Sequence, residues 1–164
     1  MANIIRPLQE IMPAEYRKNI RLKEYDYKTN GHYFITIVTH NKLPFLKPYK
    51  DVIDISIKNL PKFINGLSID YFKIMDNHVH IIFIFKNCTR LLGRVVSAMK
   101  YSITKIVKAE SLSHGNGEYN SPATIWQWNY YEHIIRNEKS LQKIREYIDN
   151  NPLAEIINWK DLEK

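Results

Sequence analysis

The chain has little of several things, and each shortage narrows what it can be. There is one cysteine in 164 residues. Cys88 therefore has no internal disulfide partner, as suits a chain kept in a reducing compartment. There are only five glycines, and none stands in a phosphate-cradling loop before a helix. Chemistry driven by a bound nucleotide triphosphate thus has no visible seat. No apolar run approaches the ~18 residues of a membrane helix. The opening "MANIIRPLQEIMPAEYRKNIR" lacks the apolar centre of a secretory signal. A soluble, cytoplasmic protein with no membrane partner is expected. Acidic residues are also short: 17 Asp and Glu against 24 Lys and Arg leave a net charge of +7. Such an imbalance favours a polyanionic partner, nucleic acid first.

What is present is enough apolar residue, 45%, for one well-formed core. Residues 1–31 read as a basic arm, with Arg17, Lys18, Arg21 and Lys23 set among Tyr16, Tyr25 and Tyr27. A single domain follows over 32–152, then a short tail over 153–164. "HYFITIVTH" (32–40) alternates like a strand. Residues 50–65 carry apolar positions at helical spacing, with Pro61 placed to kink or split the helix. "SIDYFKIM" (68–75) and "HVHIIFIF" (78–85) are strands joined by Asp76-Asn77, a tight turn. Residues 89–110 are the clearest helix, with Leu92, Val95, Val96, Met99, Ile103 and Ile106 along one stripe. A polar loop (111–123), a fourth strand (124–135) and a helix (137–150) stopped by Asn151-Pro152 complete the order. This β-α-β-β-α-β order is the α+β, ferredoxin-like (RRM-like) arrangement: a four-stranded antiparallel sheet, here with an additional C-terminal helix. It implies helices on one face and a free second face.

The segment "IMDNHVHIIFIF" (74–85) puts two histidines into a core-like strand. Residues i and i+2 of a strand face the same way, so His78 and His80 project together, opposite Val79 and Ile81. Two neutral imidazoles side by side are half a metal site. Equally, they are two hydrogen-bonded histidines on a wet sheet face. A four-ligand structural zinc site is poorly served by one cysteine and scattered histidines. An open site of two histidines and an oxygen ligand fits better.

In "KIREYIDNNP" (143–152), Tyr147 and Asn151 are four residues apart and share a helix face. Asn151 offers an amide oxygen and Tyr147 a phenol. Asn151 also serves as a helix C-cap, and Tyr147 as a packing residue. Periodicity does not choose Tyr147 over Tyr130 or Tyr131.

Five stretches in order bear a resemblance: "RLKEYDYKTNGHYFITIVTHN", "IMDNHVH", "LLGRVVSAMKYSITKIV", "WQWNYYEHIIRN" and "REYIDNNP". Together they resemble the single-tyrosine HUH transposases, and within them the REP-associated tyrosine transposase branch of the insertion-sequence-200-like group. The resemblance covers residues 17–152. It implies that His78 and His80 bind a divalent metal, magnesium or manganese, with Asn151 as third ligand. It implies that Tyr147 is the nucleophile, cutting and rejoining DNA through a 5′-phosphotyrosine. The implied partner is single-stranded or hairpin DNA of REP-like type, bound by a monomer or a homodimer. One departure is Asp76, where the family usually has proline. Aspartate keeps the turn and offers a further oxygen ligand.

Arg17, Arg21 and Tyr25 on the arm, Lys100 on the long helix, and Arg136 and Lys143 near the terminal helix are the expected DNA contacts, with Lys105, Lys108, Lys139 and Arg145 as further basic candidates on the same helices. Trp126, Trp128, Tyr130 and Tyr131 are candidates for base stacking. Two rival readings remain: a non-cutting hairpin DNA- or RNA-binding module, and a metal phosphodiesterase that uses water.

Overall fold

The computed structural model describes residues 22–113 and 125–150. In chain order these form β1 (Gly31–Val38), α1 (Lys50–Asn59), β2 (Leu67–Ile74), β3 (His78–Phe85), α2 (Leu92–Ser113), β4 (Tyr131–Ile135) and α3 (Glu138–Asn150). The four strands make one sheet in the order β2-β3-β1-β4, every pair antiparallel. This is the ferredoxin-like order, an α+β fold.

Strand alternation splits the sheet between two cores. Tyr33, Ile35 and Ile37 of β1 and Val79, Ile81 and Phe83 of β3 face α1 and α2 in the larger core. The helices meet it with Ile53 and Ile57, and with Val95, Val96, Met99 and Ile103. Alternate residues of the same strands, Phe34 and Ile82, face the other way. There they join Ile135 and the stripe Leu141, Ile144 and Ile148 of α3. The second face is therefore not free. The strong apolar stripe of α3 needs cover, and the sheet supplies it.

Pro61 acts as its chemistry demands. α1 stops at Asn59, and a short 3-10 turn, Leu60–Phe63, carries the proline in its first turn. Gly66 then enters β2 at φ 80°, where a Cβ would lie 2.5 Å from the carbonyl oxygen of Lys86. Only glycine fits that approach.

Two segments differ from the sequence reading. β4 begins at Tyr131 rather than at residue 124. Residues 125–130 form a strap across the end of β1, bridged only at Thr39 and Trp126. The Trp126 indole is buried in the larger core and donates to the carbonyl oxygen of Lys100. The Lys100 ammonium takes the carbonyls of Gln127, Trp128 and Asn129 at 2.8, 3.3 and 3.1 Å. Those oxygens face a cation instead of a strand. The described end of the arm, residues 22–30, also folds back on the domain. Tyr25 and Tyr27 pack against the larger core, and the Tyr25 and Tyr33 hydroxyls are 3.1 Å apart. Among the described residues no helix is long and apolar enough to cross a membrane.

Candidate active site

The site lies where the α3-facing side of the sheet turns from apolar to polar. Along β3 that side reads Ile82, His80, His78. Along β1 it reads Phe34, Thr36, Val38, each opposite its β3 neighbour. The register alone places Thr36 beside His80 and Val38 beside His78. The imidazole rings are 4.7 Å apart. Tyr147, reaching down from α3, has its ring 5.6 Å from that of His80 and 6.3 Å from that of Phe34. β3 and α3 thus bring His78, His80 and Tyr147 together.

Each histidine has a local partner at Nδ1. The Asn77 carboxamide oxygen lies 2.7 Å from His78 Nδ1. The same amide donates through Nδ2 to the Lys42 carbonyl at 3.1 Å. That second bond fixes the amide orientation, so an oxygen faces the ring. His78 Nδ1 then carries the proton and Nε2 the lone pair. His80 Nδ1 is 2.8 Å from the Thr36 hydroxyl. The hydroxyl can accept from Nδ1–H, the tautomer that leaves Nε2 as the ligand atom.

Burial sets the charge state. His80 has no exposed surface. Loss of hydration pushes its pKa well below the usual imidazole value, helped by His78 and Lys73. Burial also holds His78 down, to about 4, against the pull of Asp76. Both rings are neutral at physiological pH, the form that binds metal. His78 Nε2 is buried and has no hydrogen-bond partner. Such an atom is costly unless something fills its lone pair. Two neutral imidazoles, one with a vacant buried nitrogen, fit a divalent transition-type cation. Among the described residues no cluster of three His, Cys, Asp or Glu side chains adds to them. Asn151, expected as third ligand, lies outside the described residues.

Asp76 points elsewhere. Its carboxylate pairs with Lys50 at 2.7 Å, which lowers its pKa. It keeps the turn: Met75 N donates to the His78 carbonyl, and Leu46 N to the Asp76 carbonyl.

The expected DNA contacts separate. Arg17 and Arg21 lie outside the described residues. Tyr25 is a packing residue, as above. Lys100 is buried with three carbonyls, and burial brings its pKa down to about 8; its ammonium holds the strap rather than a phosphate. Arg136 is exposed between β4 and α3, and Lys143 is half-buried on α3. Of the stacking candidates, Trp126 is buried, while Tyr130 and Tyr131 pack against the two cores. Trp128 is 88% exposed. It rides on the strap, whose Gln127 N donates to the Val38 carbonyl, at the strand position paired with His78.

Asn77 and Thr36 were not singled out from sequence. Asn77 was visible beside His78 as a turn residue. Thr36 becomes a neighbour of His80 only through cross-strand register, which the sequence does not print.

The fold matches the structure of a REP-associated tyrosine transposase bound to a REP hairpin. That match has a TM-score of 0.60 and 21% identity, over 81% of this chain and 72% of the other. It also matches a crystal structure of a transposase candidate from Deinococcus radiodurans R1, with TM-score 0.54 and 18% identity, over 79% and 97% of the two chains. A Haemophilus influenzae (strain Rd) protein of uncharacterised function is 34% identical over 169 residues, 84% of this chain and 89% of that one. The family model of IS200-like transposases matches residues 27–151. With most of its length matched to that model, the chain belongs to the IS200-like transposases.

Proposed function

We propose that the protein is a strand transferase of the REP-associated tyrosine transposase type, cutting and rejoining hairpin-flanked single-stranded DNA. The observation that carries this is the vacant, buried Nε2 of His78 beside His80, with the Tyr147 ring edge-on to His80. His78 and His80 would hold a divalent cation, manganese or magnesium, with Asn151 as the oxygen ligand. When bound, the cation would polarise the scissile phosphate and offset charge on the leaving oxygen.

The residues divide the remaining work. Asn77 and Thr36 orient the imidazoles and keep Nε2 unprotonated. Phe34 and Ile82 form the apolar floor that keeps water from one side of the site. The Tyr147 phenol oxygen attacks phosphorus and loses its proton. The new bond joins tyrosine to the 5′-phosphate, and the bond to the 3′-oxygen breaks, releasing a 3′-hydroxyl. The phosphoester count is unchanged, so a 3′-hydroxyl can run the step backwards and join strands without ATP. Arg136 and Lys143 supply phosphate contacts, with Arg17 and Arg21 from the arm. Trp128, exposed on the strap, is suited to an unpaired base.

The test is a denaturing gel of protein, manganese and labelled hairpin DNA with a single-stranded flank. The expected result is a covalent adduct whose DNA-bearing peptide contains Tyr147. Cleavage without adduct would favour a water-using phosphodiesterase, and binding without cleavage a non-cutting module.

A further inference from the structure

The polar contacts between α3 and β2 lie outside the chemistry just described, and they bracket Tyr147. β2 carries a bulge between Ile69 and Tyr71. An extra residue breaks strict alternation, so neighbours can face the same side. Asp70 and Tyr71 both reach α3. The Arg145 guanidinium grips the Asp70 carboxylate with a fork: Nε to Oδ2 at 2.8 Å and Nη2 to Oδ1 at 2.5 Å. One turn on, the Tyr71 hydroxyl donates to the Asp149 carboxylate, and the Lys73 ammonium to the Asp149 carbonyl at 2.8 Å.

Helical geometry gives these contacts a purpose. Arg145 and Asp149 are four residues apart and share one flank of α3. Leu141, Ile144 and Ile148 form the stripe pressed on the sheet. Tyr147 lies on the other flank, towards β3 and β1, where it meets His80 and Phe34. An apolar stripe resists separation but is non-directional, so it fixes the roll of the helix poorly. A bidentate carboxylate–guanidinium pair is directional. It is also sheltered, with 32% of the Arg145 and 11% of the Asp70 side chain exposed.

We infer that the Asp70–Arg145 pair, with Tyr71 and Lys73 on Asp149, is a latch that sets the roll of α3 and so places the Tyr147 phenol against His80. Asp70 and Arg145 are positioning residues: they act through the helix and touch no reacting atom. A roll of about 20° would carry an atom at the ~6 Å outer radius of a helix through about 2 Å. A 1 Å misplacement of a reacting group can cost about 100-fold in rate. The inference rests on the proposed role of Tyr147, but the docking of α3 can be measured apart from it.

The experiment compares wild type with Asp70→Asn and Arg145→Lys. Asp70→Asn preserves shape and removes the charge. Arg145→Lys keeps the charge and loses the fork. Amide hydrogen exchange reports α3 against β1 and β3, and single-turnover adduct formation is followed across hairpin DNA concentrations with manganese. Exchange in α3 should rise at least ~10-fold, with sheet amides unchanged. The saturating rate should fall by about 10- to 100-fold, and half-saturating DNA should move less than about threefold. Arg145→Lys should not rescue the rate. Unchanged α3 exchange in both variants would overturn the latch. So would a half-saturating DNA concentration that rises in step with the loss of rate, since Arg145 would then be a DNA contact. If wild type forms no adduct, the proposed reaction fails and the exchange result alone decides the latch.

Discussion

The two faces of the sheet are built from alternate residues of the same strands, yet they are organised differently. Towards α1 and α2, β1 and β3 present Ile35, Ile37, Val79, Ile81 and Phe83, an unbroken apolar surface. Towards α3 they present Phe34 and Ile82, then Thr36, His80 and His78. The first face buries apolar area and needs no direction. The second has a small core and holds its helix with a charged fork and hydrogen bonds. On the proposed function, a single strand carries stability on its odd positions and chemistry on its even ones. The price is that polar groups sit beneath a helix, where each must find a partner.

The sharpest break between the faces is Tyr147→Phe. Ring packing on Phe34 and His80 survives, so stability should change by only about 1 kcal/mol. Covalent adduct should vanish while hairpin binding persists; an adduct that survives in this variant and disappears in Tyr130→Phe or Tyr131→Phe would move the nucleophile. Next comes His78→Ala, which should weaken manganese binding by about 100-fold or more in titration calorimetry. Equal affinity in the variant would mean that the pair does not bind metal.

Ile81→Ala, next along the same strand, tests the opposite face. It should cost about 2–5 kcal/mol in denaturant melts. Adduct yield per folded molecule should stay at the wild-type value, and a steep loss there would end the division of labour. Asn77→Ala should be milder, lowering manganese affinity by about 10-fold through loss of ring orientation.

The smallest effect is on pH dependence without metal. Burial holds the folded pKa of His78 at about 4, against an unfolded value of about 6.5. The unfolded chain therefore takes up a proton first. Stability should be full above about pH 6.5 and fall as pH drops towards 4. His78→Asn should remove its share of that slope in pH-dependent melts and leave the share of His80, whose pKa burial also depresses; an unchanged slope would assign the titration elsewhere.

Much of this was legible in the chain, for physical reasons. Element order followed from period-2 and period-3.6 patterns, and Pro61 marked its own break. The same-side projection of His78 and His80 followed from strand geometry. The α3 cover was not anticipated, although Leu141, Ile144 and Ile148 were in plain view. A stripe shows that a helix needs a surface, not which surface. The start of β4 was misread because Trp126 and Trp128 look like strand residues. Only the distant Lys100 ammonium reveals that the carbonyls there are taken. Asp70 and Arg145 could not be paired from sequence, because a bulge changes which residues face the helix without changing the composition of the strand.

The central place of β1 has a consequence for synthesis. Its neighbours are β3 on one side and β4 on the other, so the first described strand waits for the last described one. A growing chain folds from its N-terminal part onward. Most of the α1–α2 face can close once α2 has left the ribosome, with β2, β3 and β1 already paired; Ile125 and Trp126 complete it later. The α3 face cannot, because β4 and α3 are the final two described elements. A nascent or truncated chain ending before α3 would hold His78 and His80 but not Tyr147. On the proposed role of Tyr147, any ability to break DNA would wait until α3 had docked.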